Sequence, residues 1–366
     1  MVSTITTTFF TTTTTPTSLS SSLHSKKPHS LTLPNSKFNH FSPSKHPKPI
    51  THSSRPTTPS LPKSFPDDSP TAVSATTSAT SPLNLKSRLR SGETLYGLFL
   101  LTFSPTLAEI AGLAGYDFVV IDMEHGHGGI SEALPCLHAL AASGTAAILR
   151  VPDTTAAWAK KALDIGPQGI MFPMVESAKS AAKAVSYCRF PPAGIRGSAH
   201  PIVRASAYGI DEGYLNNYLD EILIMCQVES LEGVKKIDEI AAVDGVDCVQ
   251  MGPLDLSASM GCLWDPGNKN VRDVLREAER KVLAVREKKK KKNKSEGNDD
   301  VYLGGFALPY DGPRDLRSRG YHMVSGAVDV GLFRSAAVED VESFKASLVE
   351  DEEGEGKEGD EKYWSE

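Results

Sequence analysis

The sequence predicts an α/β fold, a (β/α)₈ TIM barrel over residues 85–348, and three observations support this prediction. Eight short apolar runs alternate with helix-like segments, a pattern typical of parallel strands covered on both faces. Eight such units in about 260 residues match the strand count and size of this barrel. Polar residues follow at least four of the runs, and a closed barrel gathers the carboxyl ends of that many strands around one centre. A doubly wound open sheet, which binds ligands between two neighbouring strands, is the alternative.

The predicted strands are, in chain order, LYGLFLL, FVVI, AAILRV, GIMFPMV, ILIMCQV, VDCVQM, YLGGFAL and HMVSGAV. Helix-like segments separate most of them: SPTLAEIAGLAG follows the first run, TAAWAKKALDIG the third, SAKSAAKAVSYCRF the fourth and LEGVKKIDEIAAV the fifth. Residues 191–218 form a long excursion after the fourth helix. Loops of this length are usually functional or disordered, and its aromatic and arginine residues favour a functional segment.

Residues 1–75 are predicted to be an organelle transit peptide. Ser, Thr and Pro dominate them, and the first acidic residue of the chain is Asp67. A Ser-rich, basic and acid-poor N-terminus is typical of such peptides. The scarcity of arginine, with Arg55 alone, favours a plastid over a mitochondrion. We therefore expect the protein in the chloroplast stroma; a disordered tail without a targeting role is the alternative.

The rest of the chain is acidic, with 32 basic and 43 acidic residues and a net charge of −11. A net negative charge of this size on residues 76–366 disfavours nucleic acid as a partner. No run reaches the roughly 20 apolar residues of a membrane span, so we expect no membrane partner. Residues 286–300 are interpreted as a Lys-rich insert on the bottom face of the barrel, and residues 350–366 as an acidic, disordered tail. The five scattered cysteines predict reduced thiols and give no zinc spacing.

Two carboxylates follow neighbouring predicted strands. Glu229 ends the fifth run and Asp255 follows the sixth, so the barrel places both at its upper mouth. Two carboxylates with open coordination positions suit a hard divalent cation that keeps several waters, such as Mg²⁺ or Mn²⁺. No His or Cys clusters with them, which disfavours zinc. Two surface acids beside a barrel mouth are the structural alternative.

A helix start follows the sixth predicted strand, where Gly252 and Pro253 break it. The free amides of Leu254 and Asp255 could hold a substrate carboxylate there, or the turn could be a plain helix cap. Arg150 closes the third run, where a guanidinium can stabilise an enolate oxygen or pair with a neighbouring acid.

The stretch FVVIDMEHG brings a buried strand directly into three ionisable residues. His125 is the candidate proton carrier because its pKa lies near working pH, and Asp122 can orient its ring. With the metal and Arg150, this set suggests chemistry on a 2-oxo acid. The cation and Arg150 would stabilise the enolate formed at C3, while His125 moves the proton. No lysine ends a strand in a comparable way, which disfavours a Schiff base.

These residues resemble the metal-dependent class II pyruvate aldolases, namely the 4-hydroxy-2-oxoheptanedioate and 2-dehydro-3-deoxyglucarate aldolases of the aldolase/citrate lyase family, in the phosphoenolpyruvate/pyruvate superfamily. The resemblance extends over the predicted barrel through GYDFVVIDMEHG, ILRVP, KKALDIGPQGIMFPMVES, RFPPAGIRG, CQVES and GPLDLSASMG. It implies a plant-type plastid lyase that cleaves or forms 4-hydroxy-2-oxo acids from pyruvate and an aldehyde with Mg²⁺ or Mn²⁺.

The resemblance also implies a role for each matching position. His125 would be the base, and Arg150 would stabilise the transition state. Glu229 and Asp255 would bind the metal. Gln227 and the backbone of Leu254 and Asp255 would bind the substrate. Asp164 would raise the basicity of the histidine, with Asp122 beside it. In the family these acids act across a subunit contact, which implies a homo-oligomer, commonly a trimer-based hexamer, with the last helix exchanged between neighbours.

Three positions depart from the family pattern. Leu254 stands where the family usually has Ala, which could narrow the pocket, and Phe99 stands where a Trp is common. The excursion at 198–218 also differs. None of these touches the base, the arginine or the metal ligands, so we expect lyase activity on an aldehyde that the resemblance does not name. An acyl-CoA ester lyase of the citrate-lyase type and a non-catalytic protein that binds 2-oxo acids are the alternatives.

Overall fold

The fold is a closed parallel barrel, seen in a computed structural model that describes residues 84–292 and 300–361. The strands pair in chain order, and the first also pairs with the last. This confirms the predicted barrel, and the open-sheet alternative is wrong. The strands are Leu95–Leu100 (β1), Phe118–Asp122 (β2), Ala146–Arg150 (β3), Gly169–Phe172 (β4), Leu223–Val228 (β5), Cys248–Met251 (β6), Tyr302–Phe306 (β7) and Met323–Val328 (β8).

Helices follow the strands and surround them. They are Leu85–Arg90 (α1), Pro105–Leu113 (α2), Ile130–Ala142 (α3), Ala156–Asp164 (α4), Ala178–Cys188 (α5), Tyr214–Glu221 (α6), Leu231–Lys235 (α7), Ile237–Ala242 (α8), Pro253–Ser259 (α9), Lys269–Lys292 (α10), Pro313–Ser318 (α11) and Asp329–Glu361 (α12). A 3₁₀ helix, Arg204–Gly209, precedes α6.

Hydroxyl side chains fix where several helices begin above the barrel. Ser104, Thr155, Ser177 and Ser230 each accept a hydrogen bond from the backbone amide three residues later, at the starts of α2, α4, α5 and α7. Such caps satisfy amides that have no partner inside the helix. The loops that carry polar residues at the mouth are therefore short and tied to the helices they enter.

Side-chain alternation divides the core into two shells. Along β2, Phe118 and Val120 point into the barrel, whereas Val119 and Ile121 pack under the surrounding helices. At the bottom, α1 buries Leu85 and Leu89 completely against the interior residues. Because Asp122 has the same parity as Phe118, its carboxylate points inward at the top of the same interior.

The excursion lies beside the barrel and does not contribute to its mouth. The Nη1 of Arg204 donates to the carbonyl of Ile165 at 2.6 Å, next to the end of α4. In a βα unit the helix runs back from the mouth, so the end of α4 is near the bottom face. None of the described residues 191–222 lines the cavity at the mouth.

The charged segments outside the family pattern are partly helical. Residues 286–292 extend α10, and residues 293–299 lie outside the described residues. The tail that we predicted as disordered from residue 350 continues α12 to Glu361, consistent with the good helix propensity of Glu and Lys. Residues 362–366 and the predicted transit peptide, 1–75, also lie outside the described residues. Across 84–292 and 300–361, no helix has the length and apolar character needed to cross a membrane.

Candidate active site

A cavity of about 680 Å³, including its open mouth, lies over the carboxyl ends of the strands. The structure brings most of the predicted site residues to its wall: Asp122, His125, Arg150, Gln227, Leu254 and Asp255. Side chains from β2, β3, β5 and the loop after β6 therefore meet at one centre.

A forked ion pair joins β2 to β3 on the cavity floor. Asp122 and Arg150 are register partners on these strands. The Nε of Arg150 donates to Asp122 Oδ1 at 2.8 Å, and its Nη2 donates to Oδ2 at 2.5 Å. The Arg150 side chain is 9% exposed and that of Asp122 is fully buried, so this is a desolvated pair with two charge-assisted bonds.

Among the described residues, the Asp122 carboxylate bonds to Arg150 and to two backbone amides, and the expectation that it orients the ring of His125 stays a prediction. Asp122 Oδ1 accepts the backbone amides of Glu124 at 3.0 Å and His125 at 3.3 Å. Its carboxylate points inward because of its strand parity. There Arg150 donates a hydrogen bond to each of the two carboxylate oxygens. His125 follows the strand on the exposed rim and still lines the cavity. Asp122 therefore positions the backbone beneath the histidine and the arginine beside it.

Glu124 contacts Arg150 in the site, although no role for it was predicted from the sequence. Its Oε2 lies 2.9 Å from Nη1 of Arg150, so the arginine contacts acids on two sides. Burial raises the pKa of Glu124 to about 7; the ion pair with Arg150 opposes this shift, and nearby Glu229 adds to it. The stretch DMEH could have indicated this role, because it places Glu124 between Asp122 and His125, the two ionisable residues to which roles were assigned.

Glu229 lies behind the cavity wall, fixed by its neighbours. Its side chain is buried, since the residue is 2% exposed. Its Oε1 accepts a hydrogen bond from the backbone amide of Met174 at 2.8 Å, and its Oε2 accepts one from Nε2 of Gln227. Gln227 also accepts, through Oε1, a hydrogen bond from Nη1 of Arg150 at 3.4 Å. A Cβ on Gly252 would lie 2.6 Å from Glu229 Oε2. A glycine is therefore needed where the start of α9 approaches this carboxylate.

The acids at this wall fit a divalent cation. Burial raises the pKa of Glu229 and the negative charge of Asp255 raises it further, so a cation held between the two carboxylates would relieve their repulsion. Each oxygen of Glu229 accepts one hydrogen bond and keeps a second lone pair. Within 84–292 and 300–361, no group of three or more His, Cys, Asp or Glu forms a metal site. Mg²⁺ commonly takes one or two protein carboxylates with waters and substrate, so a pair suffices.

Asp164 is not brought to the cavity by its own chain. It is the last residue of α4, and its Oδ1 lies 3.6 Å from Nη2 of the buried Arg196. Its predicted action on His125 across a subunit contact stays a prediction.

Gln250 and an aromatic pair were also missed from the sequence. Gln250 is 3% exposed, lines the cavity, and is the register partner of Gln227. The rings of Phe99 and Phe306 meet edge to face at 5.6 Å, and the guanidinium carbon of Arg150 lies 5.0 Å from the Phe99 centroid. In the sequence, Gln250 and Phe306 are ordinary strand positions and Phe99 is noted only as a departure from the family pattern. The inward parity of the barrel strands places all three at the cavity.

Comparison with known proteins places this site in a family. The family model described as HpcH/HpaI aldolase/citrate lyase matches residues 95–336, which contain all eight strands of the barrel. The chain belongs to this family. The family resemblance read from the sequence motifs is thereby confirmed, and the protein is a lyase of the aldolase type; the plant-type plastid assignment stays a prediction. The family generally depends on a divalent metal.

Relatives named as aldolases cover most of the barrel. A hydroxypyruvate/pyruvate aldolase of Pseudomonas aeruginosa is 41% identical over 198 residues, which is 54% of this chain and 74% of that protein. A 2-keto-3-deoxy-L-rhamnonate aldolase of Escherichia coli K12 is 32% identical over 261 residues, 71% of this chain and 92% of that protein. A crystal structure of an HpcH/HpaI family protein from Burkholderia cenocepacia superposes with a TM-score of 0.64 at 36% identity, covering 72% and 99% of the two chains.

Proposed function

We propose that this protein is a divalent-metal-dependent aldolase that forms and cleaves 4-hydroxy-2-oxo acids from a pyruvate-type donor and an aldehyde. The observation that supports it most is the arrangement of Arg150, fixed by Asp122 and Glu124 on the cavity floor, beside the acids Glu229 and Asp255. The names of the two aldolases, one acting on pyruvate and one on a 2-keto-3-deoxy acid, support the same substrate class.

Different residues of the cavity would bind the donor and stabilise its charge. The amides at the start of α9, at Leu254 and Asp255, would bind the donor carboxylate. Among the described residues, the hydrogen bonds of Arg150 to Asp122 and Gln227 use three of its five N–H groups, and Nη1 also lies 2.9 Å from Glu124 Oε2, so an N–H group would remain for the donor's keto oxygen. A divalent cation held by Glu229 and Asp255 would supply electrostatic stabilisation of the charge that develops on the donor oxygens.

His125 would take a proton from C3 of the donor. It lies on the rim of the cavity, and an imidazole is well matched to proton transfer near neutral pH. In the cleavage direction the same ring would return the proton to C3. Water reaches this rim, so the donor's C3 protons should exchange with solvent even without an aldehyde.

The test is the exchange of the pyruvate methyl protons in D₂O, followed by NMR with Mg²⁺ present. We expect wild-type protein to exchange them and His125→Ala to lose exchange while retaining Mn²⁺ binding. His138→Ala is the matched control, because His138 is exposed on α3, outside the cavity. Activity on acyl-CoA esters alone would favour a citrate-lyase-type enzyme. Binding of Mn²⁺ and pyruvate without exchange would favour a non-catalytic binding protein.

We also propose that the protein is a homo-oligomer, built on trimers, in which neighbours exchange α12. Phe333 and Phe344 on this helix are 74% and 65% exposed in the single chain, and apolar residues so exposed need a partner surface. Light scattering should give a mass well above one chain. Replacing both residues by Asp should reduce that mass.

A further inference from the structure

The cavity wall divides into a polar arc and an apolar arc. Its ionisable and amide side chains come from β2, β3, β5 and β6 and the segments that follow them, and the apolar Met251, Pro253 and Leu254 line the same arc. The remaining lining strands, β7, β8 and β1, contribute Phe306, Val328, Phe99 and Leu101. These three strands are consecutive neighbours in the closed barrel, so their side chains form one continuous surface. We call these four residues the apolar wall.

The apolar wall is held in place before any substrate arrives. Phe99 and Phe306 pack edge to face at 5.6 Å across the gap between their strands. The buried Asp329, which begins α12, accepts the amides of Leu101 and Thr102, both at 3.0 Å. It thereby ties the end of β1 to the end of β8. A ligand that fits this wall loses little free energy in reordering it.

We propose that the apolar wall receives the substituent of the acceptor aldehyde, and that this substituent is uncharged and mainly aliphatic or aromatic. The inference rests on the proposed function, because the donor 2-oxo acid would occupy the polar arc. The acceptor must approach C3 of the donor from the remaining side of the same cavity. A hydroxyl or carboxylate against Phe99, Leu101, Phe306 and Val328 would lose its water without gaining a hydrogen bond.

The experiment compares two acceptors of nearly equal shape with pyruvate and Mg²⁺. Butanal ends in a methyl group, whereas 3-hydroxypropanal carries a hydroxyl at the same place. We expect kcat/KM for butanal to be higher by about ten-fold or more, since one unpaired hydroxyl costs about that factor. Equal values, or a preference for the hydroxylated aldehyde, would overturn the proposal if pyruvate exchange is normal. Absent exchange would overturn the proposed function itself, and this inference with it.

Two variants test whether the wall itself selects the acceptor. Val328→Thr keeps the side-chain shape and adds a hydroxyl, and Phe306→Tyr adds a hydroxyl at the ring edge. We expect either to lower the ratio of the two kcat/KM values by several-fold. Val274→Thr on α10 is the matched control, because Val274 lies outside the cavity, and it should leave the ratio unchanged. A ratio that neither Val328→Thr nor Phe306→Tyr alters would show that the substituent lies elsewhere.

Discussion

Replacing Arg150 by lysine tests whether the guanidinium geometry organises the site. Lysine keeps the positive charge but offers a single ammonium in place of the fork. The fork makes two bonds to Asp122, at 2.8 and 2.5 Å, and its Nη1 lies 2.9 Å from Glu124 Oε2. An ammonium cannot reproduce all of these contacts, so at least one carboxylate oxygen of these acids loses its contact with the residue at position 150.

The expected cost follows from these contacts. A hydrogen bond to a charged group is worth about 1.5–3 kcal/mol, and an acid left unpaired in the interior adds to the loss. We therefore expect Arg150→Lys to lower the free energy of unfolding by about 3 kcal/mol. In a barrel of this size that corresponds to a fall in Tm of roughly 6–12 °C. Loss of a positioned donor to the developing oxyanion should also slow pyruvate proton exchange by about 10²–10³-fold.

Thermal unfolding followed by circular dichroism and NMR exchange of the pyruvate methyl protons measure the two effects separately. Arg280→Lys is the matched control: its side chain is 73% exposed on α10, where it pairs with Glu277 at 2.6 Å. Such a surface pair is worth less than about 1 kcal/mol, so Tm and exchange should stay near wild type. If Arg150→Lys behaves like Arg280→Lys in both assays, the forked pair does not organise the cavity floor.

Three further predictions use other features of the chain. Burial raises the pKa of Glu124 to about 7, above its ordinary value of about 4.3, so the folded state binds more protons than the unfolded state between these pH values. Stability should therefore fall as pH rises from 5 to 8, and urea unfolding of Glu124→Gln should show a flatter profile; an unchanged slope would contradict the raised pKa. Gly252→Ala would place a Cβ 2.6 Å from Glu229 and should weaken Mn²⁺ binding in calorimetry by about ten-fold. Gly129→Ala, also at a helix start but with its nearest contact at 3.6 Å, should bind Mn²⁺ normally. Residues 1–75 fused to a fluorescent protein should enter plastids, and a cytosolic signal would argue against a transit peptide.

Strand order and closure were predictable because they depend on local patterns. Each buried parallel strand is a short, continuous apolar run, and in this chain all eight runs became strands. The polar residues after those runs had to meet once the barrel closed, which is why His125, Arg150 and Asp255 line one cavity.

Pairwise side-chain contacts were less predictable, since they depend on register and parity. The sequence suggests that Asp122 serves His125 because the two are three residues apart. In the barrel, register places Asp122 beside Arg150 on the next strand, and parity turns its carboxylate inward. The missed Gln250 illustrates the same limit: its role depends on lying beside Gln227 across β5 and β6, a relation invisible without the register.

We propose that acids from neighbouring strands hold one divalent cation where a pyruvate carbanion is stabilised. The rate of pyruvate methyl exchange in D₂O, measured with EDTA and then with added Mg²⁺, tests this for wild-type protein and Asp255→Asn. Wild-type exchange should depend on Mg²⁺ and disappear with EDTA, and Asp255→Asn should show none in either condition while keeping the wild-type circular dichroism spectrum. Exchange that persists in EDTA, or that survives Asp255→Asn at the wild-type rate, would contradict it.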